Sequence, residues 1–559
     1  MDQATETPEP RRDLDSVFHS SVARFTGGLS PAALSTAILD WGLHLAGSPM
    51  RQAELWHHAW TNAIWASAPL PLSMVEDKRF RSGNWVYPPF AQYRHWFQLT
   101  ESWWSHATDP IDGVNPTHQR IVAFAARQML DMLSPANTAL SNPDVQFQTW
   151  RTGGRNLVDG LSNWLVDANR LMTTGALNNP AFTVGKTLAV TEGDVVYRNT
   201  LIELIRYRPT QRHVYREPIL IVPAWIMKYY ILDLSPSNSL VAWLRDQGFE
   251  VYVISWKNPD ADDAELGLED YLELGLGAAL DAIAPTAESR VHAVGYCLGG
   301  TLLSASVAAC ARDGDPRIAT VTLLAAQVDF TEPGELSLFI NESQVAFLED
   351  MMATQGYMRA DQMAGAFRML RSNDLIWSRV IRHYLLGERT QMNELMAWNA
   401  DATRMPARMH SEYLRQMFLE NRLAKGQFKV GGRPIALTDI SVPIFAVATE
   451  KDHVSPWRSV YKIGLLTDTD VTFCLTAGGH NGGIVSEPGH PRRHHRIGLK
   501  SEGNLFVSAD QWYETTSEIA GSWWPSWADW LKARSEGCRF VTSAPDQSLG
   551  PAPGTYVFQ

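Results

Sequence analysis

The sequence predicts an α/β protein in which a mostly parallel sheet carries helices on both faces. Three observations predict this fold class: apolar strand patterns alternate with helical patterns after residue 180, a helical block separates two of the later strands, and the first third of the chain has helical periodicity. Near-continuous apolar strands separated by helices are typical of a parallel sheet that is buried on both faces. We therefore expect a helical N-terminal domain followed by an α/β domain with a helical insertion.

The N-terminal region is predicted to begin with a disordered tail over residues 1–15, which is polar and acidic, and to continue as a helical domain over residues 16–180. Apolar and aromatic residues recur at helical spacing in the segments 41–46, 54–60 and 93–99. Many of the chain's 21 tryptophans lie in this region. A packed helical layer explains them, and a surface for a partner or an apolar phase is the alternative.

Residues 181–559 are predicted to form the α/β domain. Its predicted strands are Leu188–Thr191, Pro218–Pro223, Glu250–Trp256, Val291–Tyr296, Ala319–Ala325, Val442–Thr449 and Asp470–Thr476. Helical patterns such as Ser239–Arg245 and Tyr271–Leu276 lie between them. From about residue 333 to residue 438 the alternation of strand and helix patterns stops, and the sequence has a helical pattern rich in Met and Trp. A helical block between two strands of one sheet is typical of a cap over an active site.

The composition excludes several classes of protein. Lys and Arg number 48 and Asp and Glu number 60, which gives a net charge of −12 at pH 7. A nucleic-acid binder usually carries a basic surface instead, so no nucleic-acid partner is expected. With 45% apolar and 19% charged residues, the chain has ample material for a buried core. Its four cysteines have no paired spacing, which argues against a disulfide framework and suits a reducing compartment.

Residues 291–311 carry no full charge, and a run of this length is long enough to cross a membrane. The run contains His292, a cluster of glycines and several hydroxyl side chains, so we predict a buried strand, a tight turn and a buried helix rather than a transmembrane segment. The N-terminus lacks the pattern of a secretory signal peptide, and a cytoplasmic location is expected.

The sharpest local motif is Gly-Tyr-Cys-Leu-Gly-Gly at residues 295–300, between a predicted strand and a predicted helix. This is the context of the nucleophile elbow G-x-S-x-G of α/β-hydrolases, where a tight turn exposes the central side chain above the sheet. Here the central residue is Cys297, which we predict to be the nucleophile. The alternative is a buried, inert cysteine in a glycine-rich turn. The motif refines the predicted fold to an α/β-hydrolase fold.

The order nucleophile, acid, histidine of α/β-hydrolases points to Asp452 and His480 as the partners of Cys297. Each follows a predicted strand, in the segments Thr449–His453 and Gly478–Gly483. Glu450 as the acid and His453 as the base are competing candidates, although a base beside the acid in sequence is poorly placed to accept its orienting bond. A capping role for Asp452 and a solvated loop position for His480 are the non-catalytic alternatives.

An oxyanion hole needs backbone N–H groups directed at the developing negative charge. One is expected from Leu298, immediately after the predicted nucleophile. The other is expected from the loop after an earlier strand, and because Pro223 has no N–H, Trp225 or Ile226 is the predicted donor.

The basic run at residues 490–496 could contact the phosphates of a nucleotide-bearing substrate, but such a run is more often a solvated loop. The sequence has no phosphate-binding loop, dinucleotide fingerprint or metal-ligand cluster, so neither a cofactor nor a metal ion is expected.

Several longer motifs carry a family resemblance. They are Lys228–Val241, Val253–Pro259, Gly295–Thr301, Ser372–Trp377, Trp398–Arg404, Gly521–Pro525 and Ala552–Val557. With these motifs the chain resembles a polyhydroxyalkanoate synthase, most like the class I single-subunit type, from about residue 75 to the C-terminus. Two departures are that Asn481-Gly482-Gly483 follows His480, where the family usually has an aliphatic residue, and that the first seventy residues match only loosely.

The resemblance implies that Cys297 is the nucleophile, with Asp452 and His480 as its partners, in an enzyme that joins (R)-3-hydroxyacyl groups from coenzyme A thioesters into a polyester. Coenzyme A is then carried by the substrate and released, not held as a cofactor. The resemblance also implies a homodimer at the surface of polyester granules, with granule-associated proteins as possible partners. Two rival functions are a cysteine-nucleophile thioesterase or esterase of the same fold and a non-catalytic granule-associated scaffold.

Overall fold

The computed structural model describes residues 14–26, 28–66, 77–173, 181–360, 362–363, 365, 372–389, 391–541 and 547–559. The described chain divides into two compact units. One contains residues from the ranges 1–21, 178–362 and 393–559, and the other contains residues from 22–177 and 363–392. Most of the predicted N-terminal tail lies outside the described residues, and the first helix begins at Leu14.

A ten-stranded sheet forms the centre of the first unit. Its strands are β1 (Gly193–Arg198), β2 (Ile202–Tyr207), β3 (Ile219–Val222), β4 (Val251–Trp256), β5 (Val291–Tyr296), β6 (Ile318–Leu324), β7 (Ile444–Thr449), β8 (Val471–Thr476), β9 (His494–Lys500) and β10 (Glu518–Ala520). They lie in the order β1-β2-β4-β3-β5-β6-β7-β8-β9-β10. The strands from β4 to β8 in this order run parallel, and antiparallel strands continue the sheet at both edges.

The helices of this unit follow the strands as an α/β-hydrolase fold requires. The main helical segments are Leu240–Asp246, Leu268–Asp270, the π-helical Tyr271–Gly277, Ala278–Ile283, Leu298–Asp313, Trp457–Tyr461, Ile463–Leu466, Ala509–Thr515 and Trp524–Lys532. Strand β5 and the helix Leu298–Asp313 are almost entirely buried. This burial explains the uncharged run at 291–311 and confirms the predicted strand, turn and helix. Among the described residues, no helix is both long and apolar enough to cross a membrane.

Six of the seven predicted strands are confirmed, and the strand predicted at Leu188–Thr191 is wrong. This segment is a buried connection in which Ala189 has a φ of 52° and donates its N–H to the carbonyl of Asp233. Thr191 also bonds the Asp233 carboxylate through its hydroxyl, at 2.5 Å. The segment is apolar because it is buried, with Leu188 only 1% exposed, and not because it pairs in the sheet.

The block between the neighbouring strands β6 and β7 is largely helical. It contains the helical segments Gly334–Phe339, Glu342–Ala353, Glu394–Asn399, Ala407–Tyr413, Leu414–Leu419 and Leu437–Asp439 in the first unit. The described residues within 363–392 of the predicted cap belong to the second unit, where the Ser372 hydroxyl donates to the Asp131 carboxylate at 2.9 Å and the Asn156 amide donates to the carbonyl of Leu385 at 2.8 Å. The domain boundaries predicted at 181, 333 and 438 remain predictions.

The second unit is helical. Among the described residues its α-helices are Pro31–Ala46, Pro49–Ala66, Phe90–Ala107, Pro116–Leu133, Pro143–Thr152 and Arg155–Thr173, and the end of Leu14–Thr26, from Val22 onward, also falls within its range. Phe80, Trp85 and Phe97 form a buried cluster in which aromatic rings meet edge to face. Several other tryptophans of this unit, Trp56 and Trp60 among them, are exposed, so the packed layer explains only part of the aromatic content.

The C-terminal segment is attached to the sheet through Glu203 on β2. The Glu203 carboxylate is fully buried and accepts hydrogen bonds from the N–H groups of Thr555 and Tyr556, at 2.8 Å and 2.9 Å, and from the Thr555 hydroxyl at 2.7 Å. It also accepts a bond from the guanidinium of Arg198, at 2.7 Å. A buried carboxylate with this many donors holds the segment firmly because each donor would otherwise lose its partner.

We therefore predict that Glu203→Ala lowers the free energy of unfolding by about 3 kcal/mol, because it leaves buried donors unsatisfied. Urea unfolding followed by tryptophan fluorescence measures the change in midpoint. Glu288→Ala, at an exposed position, is the matched control and should leave the midpoint unchanged. Equal midpoints for the two variants would contradict the role given to Glu203.

Candidate active site

Cys297 lies in the turn between strand β5 and the helix that begins at Leu298. Its backbone has a φ of 52° and a ψ of −122°, which is strained for a residue with a side chain. The N–H of Cys297 donates to the carbonyl of Leu324 at 2.8 Å and so continues the pairing of β5 with β6. The strain is therefore held by the sheet, and the thiol stands at the carboxyl end of the central parallel strands.

Close packing around three glycines holds this turn. A Cβ on Gly295 would collide with the backbone of Gly300, and a Cβ on Gly300 would collide with the side chain of Ala326. A Cβ on Gly299 would collide with the carbonyl of Val222, at the end of β3. The helix, the strand and the neighbouring loop therefore approach one another more closely than any larger residue would permit.

Asp452 follows strand β7, and its side chain is fully buried. Its Oδ1 accepts the N–H groups of Val454 and Ser455, at 2.8 Å and 2.9 Å, and its Oδ2 accepts the Thr449 hydroxyl at 3.2 Å. Burial raises the pKa of this carboxyl, but the charge of His480 and the hydrogen bonds to His480 and the backbone outweigh it and lower the pKa. Asp452 is thus a stable carboxylate in a buried position.

His480 follows strand β8, and its Nδ1 lies 2.7 Å from Oδ2 of Asp452. Burial lowers the pKa of the imidazole, but the Asp452 carboxylate and the neighbouring Cys297 side chain more than compensate and raise it well above its ordinary value. With Nδ1 engaged by the carboxylate, Nε2 is the ring nitrogen left for Cys297. The structure therefore brings Cys297, His480 and Asp452 together.

The competing candidates do not join this cluster. The carboxylate of Glu450 lies 3.2 Å from Nε2 of His494, so its partner is a different histidine. His453 is exposed to solvent. The structure thus pairs His480 with Asp452 and not with Glu450.

The predicted oxyanion loop is held by a residue of the inserted block. Thr403 donates its hydroxyl to the carbonyl of Trp225 at 2.7 Å and its N–H to the carbonyl of Ile226 at 3.2 Å. In a trans peptide the carbonyl and the following N–H point in opposite directions, so these bonds fix the direction of the N–H of Ile226. Leu298 is the first residue of its helix, where the N–H has no acceptor within the helix.

Tyr413 forms an aromatic wall beside the predicted nucleophile. It lies in the inserted block, and burial together with the neighbouring Cys297 raises its pKa. Its ring is 6.2 Å from the ring of Trp225 and 5.5 Å from that of Phe418. Sequence reasoning missed both Tyr413 and Thr403, although Thr403 lies within the family motif Trp398–Arg404.

The basic run at residues 490–496 is only partly the loop that the sequence predicts. Residues from His494 onward form strand β9, which pairs antiparallel with β8. His494 contacts Glu450, and Arg496 donates to the carbonyl of Thr516 at 2.5 Å. These side chains have protein partners at the edge of the sheet.

Comparisons with known proteins agree with the fold and with the motifs. The family described as poly-beta-hydroxybutyrate polymerase (PhaC) N-terminus matches residues 76–244, and the one described as poly-beta-hydroxybutyrate polymerase N terminal matches residues 9–51. The alpha/beta hydrolase family matches residues 219–493. A poly(3-hydroxyalkanoate) polymerase from Methylorubrum extorquens is 39% identical over 513 residues, which cover 89% of this chain and 84% of that protein. The chain belongs to the poly(3-hydroxyalkanoate) polymerase family.

Two further members support this assignment, which makes the chain an acyltransferase. The poly(3-hydroxyalkanoate) polymerase subunit from Rhizobium meliloti is 38% identical, over 86% of this chain and 79% of that protein. The one from Cupriavidus necator is 34% identical, over 90% of this chain and 86% of that protein. The match at residues 9–51 extends the family resemblance into the region that the sequence motifs left out.

The contact between His480 and Asp452 generates a prediction about pH. Asp452→Asn removes the carboxylate that raises the pKa of His480 but leaves the burial that lowers it. We therefore predict that the pKa of His480 falls in this variant. Histidine-selective ¹³C NMR titration measures it, and a His480→Gln sample assigns the resonance. An unchanged titration midpoint in the Asp452→Asn variant would contradict the electrostatic account.

Proposed function

We propose that this chain polymerises (R)-3-hydroxyacyl-coenzyme A thioesters into a polyester through a catalytic triad of Cys297, His480 and Asp452 and a covalent acyl-cysteine. The observation that supports it most strongly is the convergence of a strained elbow cysteine with a buried aspartate–histidine pair in a member of this family. The names of the relatives support a polyester as the product. The chemistry of a cysteine nucleophile supports a thioester as the donor of the acyl group.

In the first half-reaction His480 takes the proton of the Cys297 thiol, and the sulfur attacks the carbonyl carbon of the thioester. The tetrahedral oxyanion is stabilised by the N–H of Leu298 together with that of Trp225 or Ile226. The bond from carbon to the coenzyme A sulfur then breaks, and His480 returns the proton to the departing thiolate. Because one thioester is exchanged for another, the acyl-cysteine forms with little change in free energy.

In the second half-reaction the acceptor is the hydroxyl of another 3-hydroxyacyl group. His480 takes the hydroxyl proton, the oxygen attacks the acyl-cysteine carbonyl, and the carbon–sulfur bond to Cys297 breaks as the ester forms. The proton then returns to the cysteine thiolate, so the thiol is regenerated. Asp452 orients the imidazole throughout and stabilises its protonated form.

The same three catalytic residues could serve a polymerase or a thioesterase. Exclusion of water decides between them, because water would compete with the substrate hydroxyl for the acyl-cysteine. The packed aromatic rings of Tyr413, Trp225 and Phe418 support the polymerase, because bulky rings beside Cys297 leave less room for water. The reaction uses no resident cofactor, since coenzyme A enters and leaves with the substrate. We also propose a homodimer at the surface of cytoplasmic polyester granules, as the family resemblance implies; light scattering on the purified protein tests the dimer.

We predict that Cys297→Ala lowers the rate of coenzyme A release from (R)-3-hydroxybutyryl-coenzyme A by about 1000-fold or more, because it removes the sulfur on which the proposed acyl-enzyme forms. Cys538→Ala, at an exposed cysteine, is the matched control and should keep full activity. Free thiol and polymer mass are followed together. Release of thiol with free hydroxy acid and no polymer would support the thioesterase instead, and no release by the wild type would favour the scaffold.

A further inference from the structure

Tyr296 and Asn481 connect the two sides of the candidate active site. Tyr296 is 2% exposed and immediately precedes Cys297, whereas Asn481 immediately follows His480. The Tyr296 hydroxyl donates a hydrogen bond to Oδ1 of Asn481 at 2.5 Å. One side-chain bond therefore joins the neighbour of the predicted nucleophile to the neighbour of the predicted base.

The Tyr296 ring also lies beside the imidazole of His480. The two ring centroids are 5.9 Å apart, and the planes are inclined by 33°. Burial, with Cys297 and Asp452 nearby, raises the pKa of the Tyr296 phenol, so its hydroxyl remains a donor at neutral pH. The phenol thus contacts His480 directly through its ring and indirectly through Asn481.

The loop that carries His480 is anchored at both ends, since the carbonyl of Gly478 accepts the N–H of Lys451 at 2.9 Å and the carbonyl of Gly483 accepts the indole N–H of Trp523 at 3.1 Å. Within Gly478–Gly483 only His480 and Asn481 have side chains, and the four glycines leave the backbone conformationally permissive. The carbonyl of Asn481 accepts the N–H groups of Ile484 and Val485, at 3.1 Å and 3.0 Å. Asn481 is therefore held at its backbone by the following turn and at its side chain by Tyr296.

We propose that Asn481 is a positioning residue for His480, acting through its hydrogen bond to Tyr296. The bond fixes the loop relative to the end of β5, and so sets the distance and orientation of the imidazole relative to the Cys297 sulfur. This proposal rests on the proposed triad, because it assigns Asn481 to the orientation of the general base. A loosened imidazole slows proton transfer and leaves substrate binding largely intact.

The test compares Tyr296→Phe and Asn481→Leu with the wild type, using coenzyme A release from (R)-3-hydroxybutyryl-coenzyme A. Each variant is expected to lower kcat roughly tenfold with little change in KM, and the double variant to lower it no further, because both remove the same bond. Asn481→Asp keeps an acceptor oxygen and should recover most of kcat. Urea unfolding midpoints, which should stay near the wild-type value, separate positioning from loss of the fold.

The control is Tyr461→Phe, which removes the hydroxyl of another buried tyrosine, one that donates to the carbonyl of Val507 at 3.0 Å, and which should keep the wild-type kcat. Unchanged kcat in Asn481→Leu, or additive losses in the double variant, would overturn the positioning role. If either result is obtained while Cys297→Ala is inactive, only the positioning role is rejected and the proposed triad is retained. An active Cys297→Ala would instead overturn the triad itself.

Discussion

The strained backbone of Cys297 is the constraint on which the site depends. A φ of 52° at a residue with a side chain persists only where its surroundings over-determine it. Here the N–H of Cys297 is fixed by Leu324 on the neighbouring strand, and the helix that follows is packed against β5 through adjacent glycines. The same packing brings Val222 and Pro223, which lead into the loop that contains Trp225 and Ile226, against the beginning of the helix. One set of contacts thus positions both the predicted nucleophile and the loop that we propose as the source of an oxyanion N–H group.

A second constraint is electrostatic. Burying the Asp452 carboxylate would be unfavourable without partners, but two backbone N–H groups and the Thr449 hydroxyl satisfy it before His480 is considered. The carboxylate can therefore orient His480 and favour its protonated form. Because both residues follow neighbouring parallel strands, β7 and β8, the sheet itself brings the pair within hydrogen-bonding distance.

The central strands were predictable from the sequence because they are buried on both faces and read as continuous apolar runs. The edges were not. Strand β2 is fully buried yet contains Glu203 and Arg206, whose charges interrupt the apolar pattern and are satisfied by partners distant in sequence. Conversely, Leu188–Thr191 is apolar but forms a buried connection. An apolar run in the sequence indicates that a segment is buried. It predicts a strand correctly only where the buried segment also pairs in the sheet.

The elbow cysteine was identifiable for a similar reason, because its local sequence dictates the turn. The sequence does not by itself separate Asp452 from Glu450, since two carboxylates two residues apart on one loop differ only in the direction that the backbone gives their side chains. Thr403, Tyr413 and Asn481 could not be assigned roles from the sequence, because each acts through a partner from another segment. The family assignment, by contrast, was available from motifs spread along the chain and is confirmed by the comparisons.

The acyl-cysteine is the central claim, and trapping it is the most direct test. Wild-type protein would be mixed with (R)-3-hydroxybutyryl-coenzyme A, quenched in acid within one turnover, digested and examined by mass spectrometry. The account predicts a hydroxybutyryl group, or a short oligomer of it, on the peptide that contains Cys297, and none in Cys297→Ala. Polymer formation with an unmodified Cys297 peptide, or with the acyl group on another residue, would contradict it.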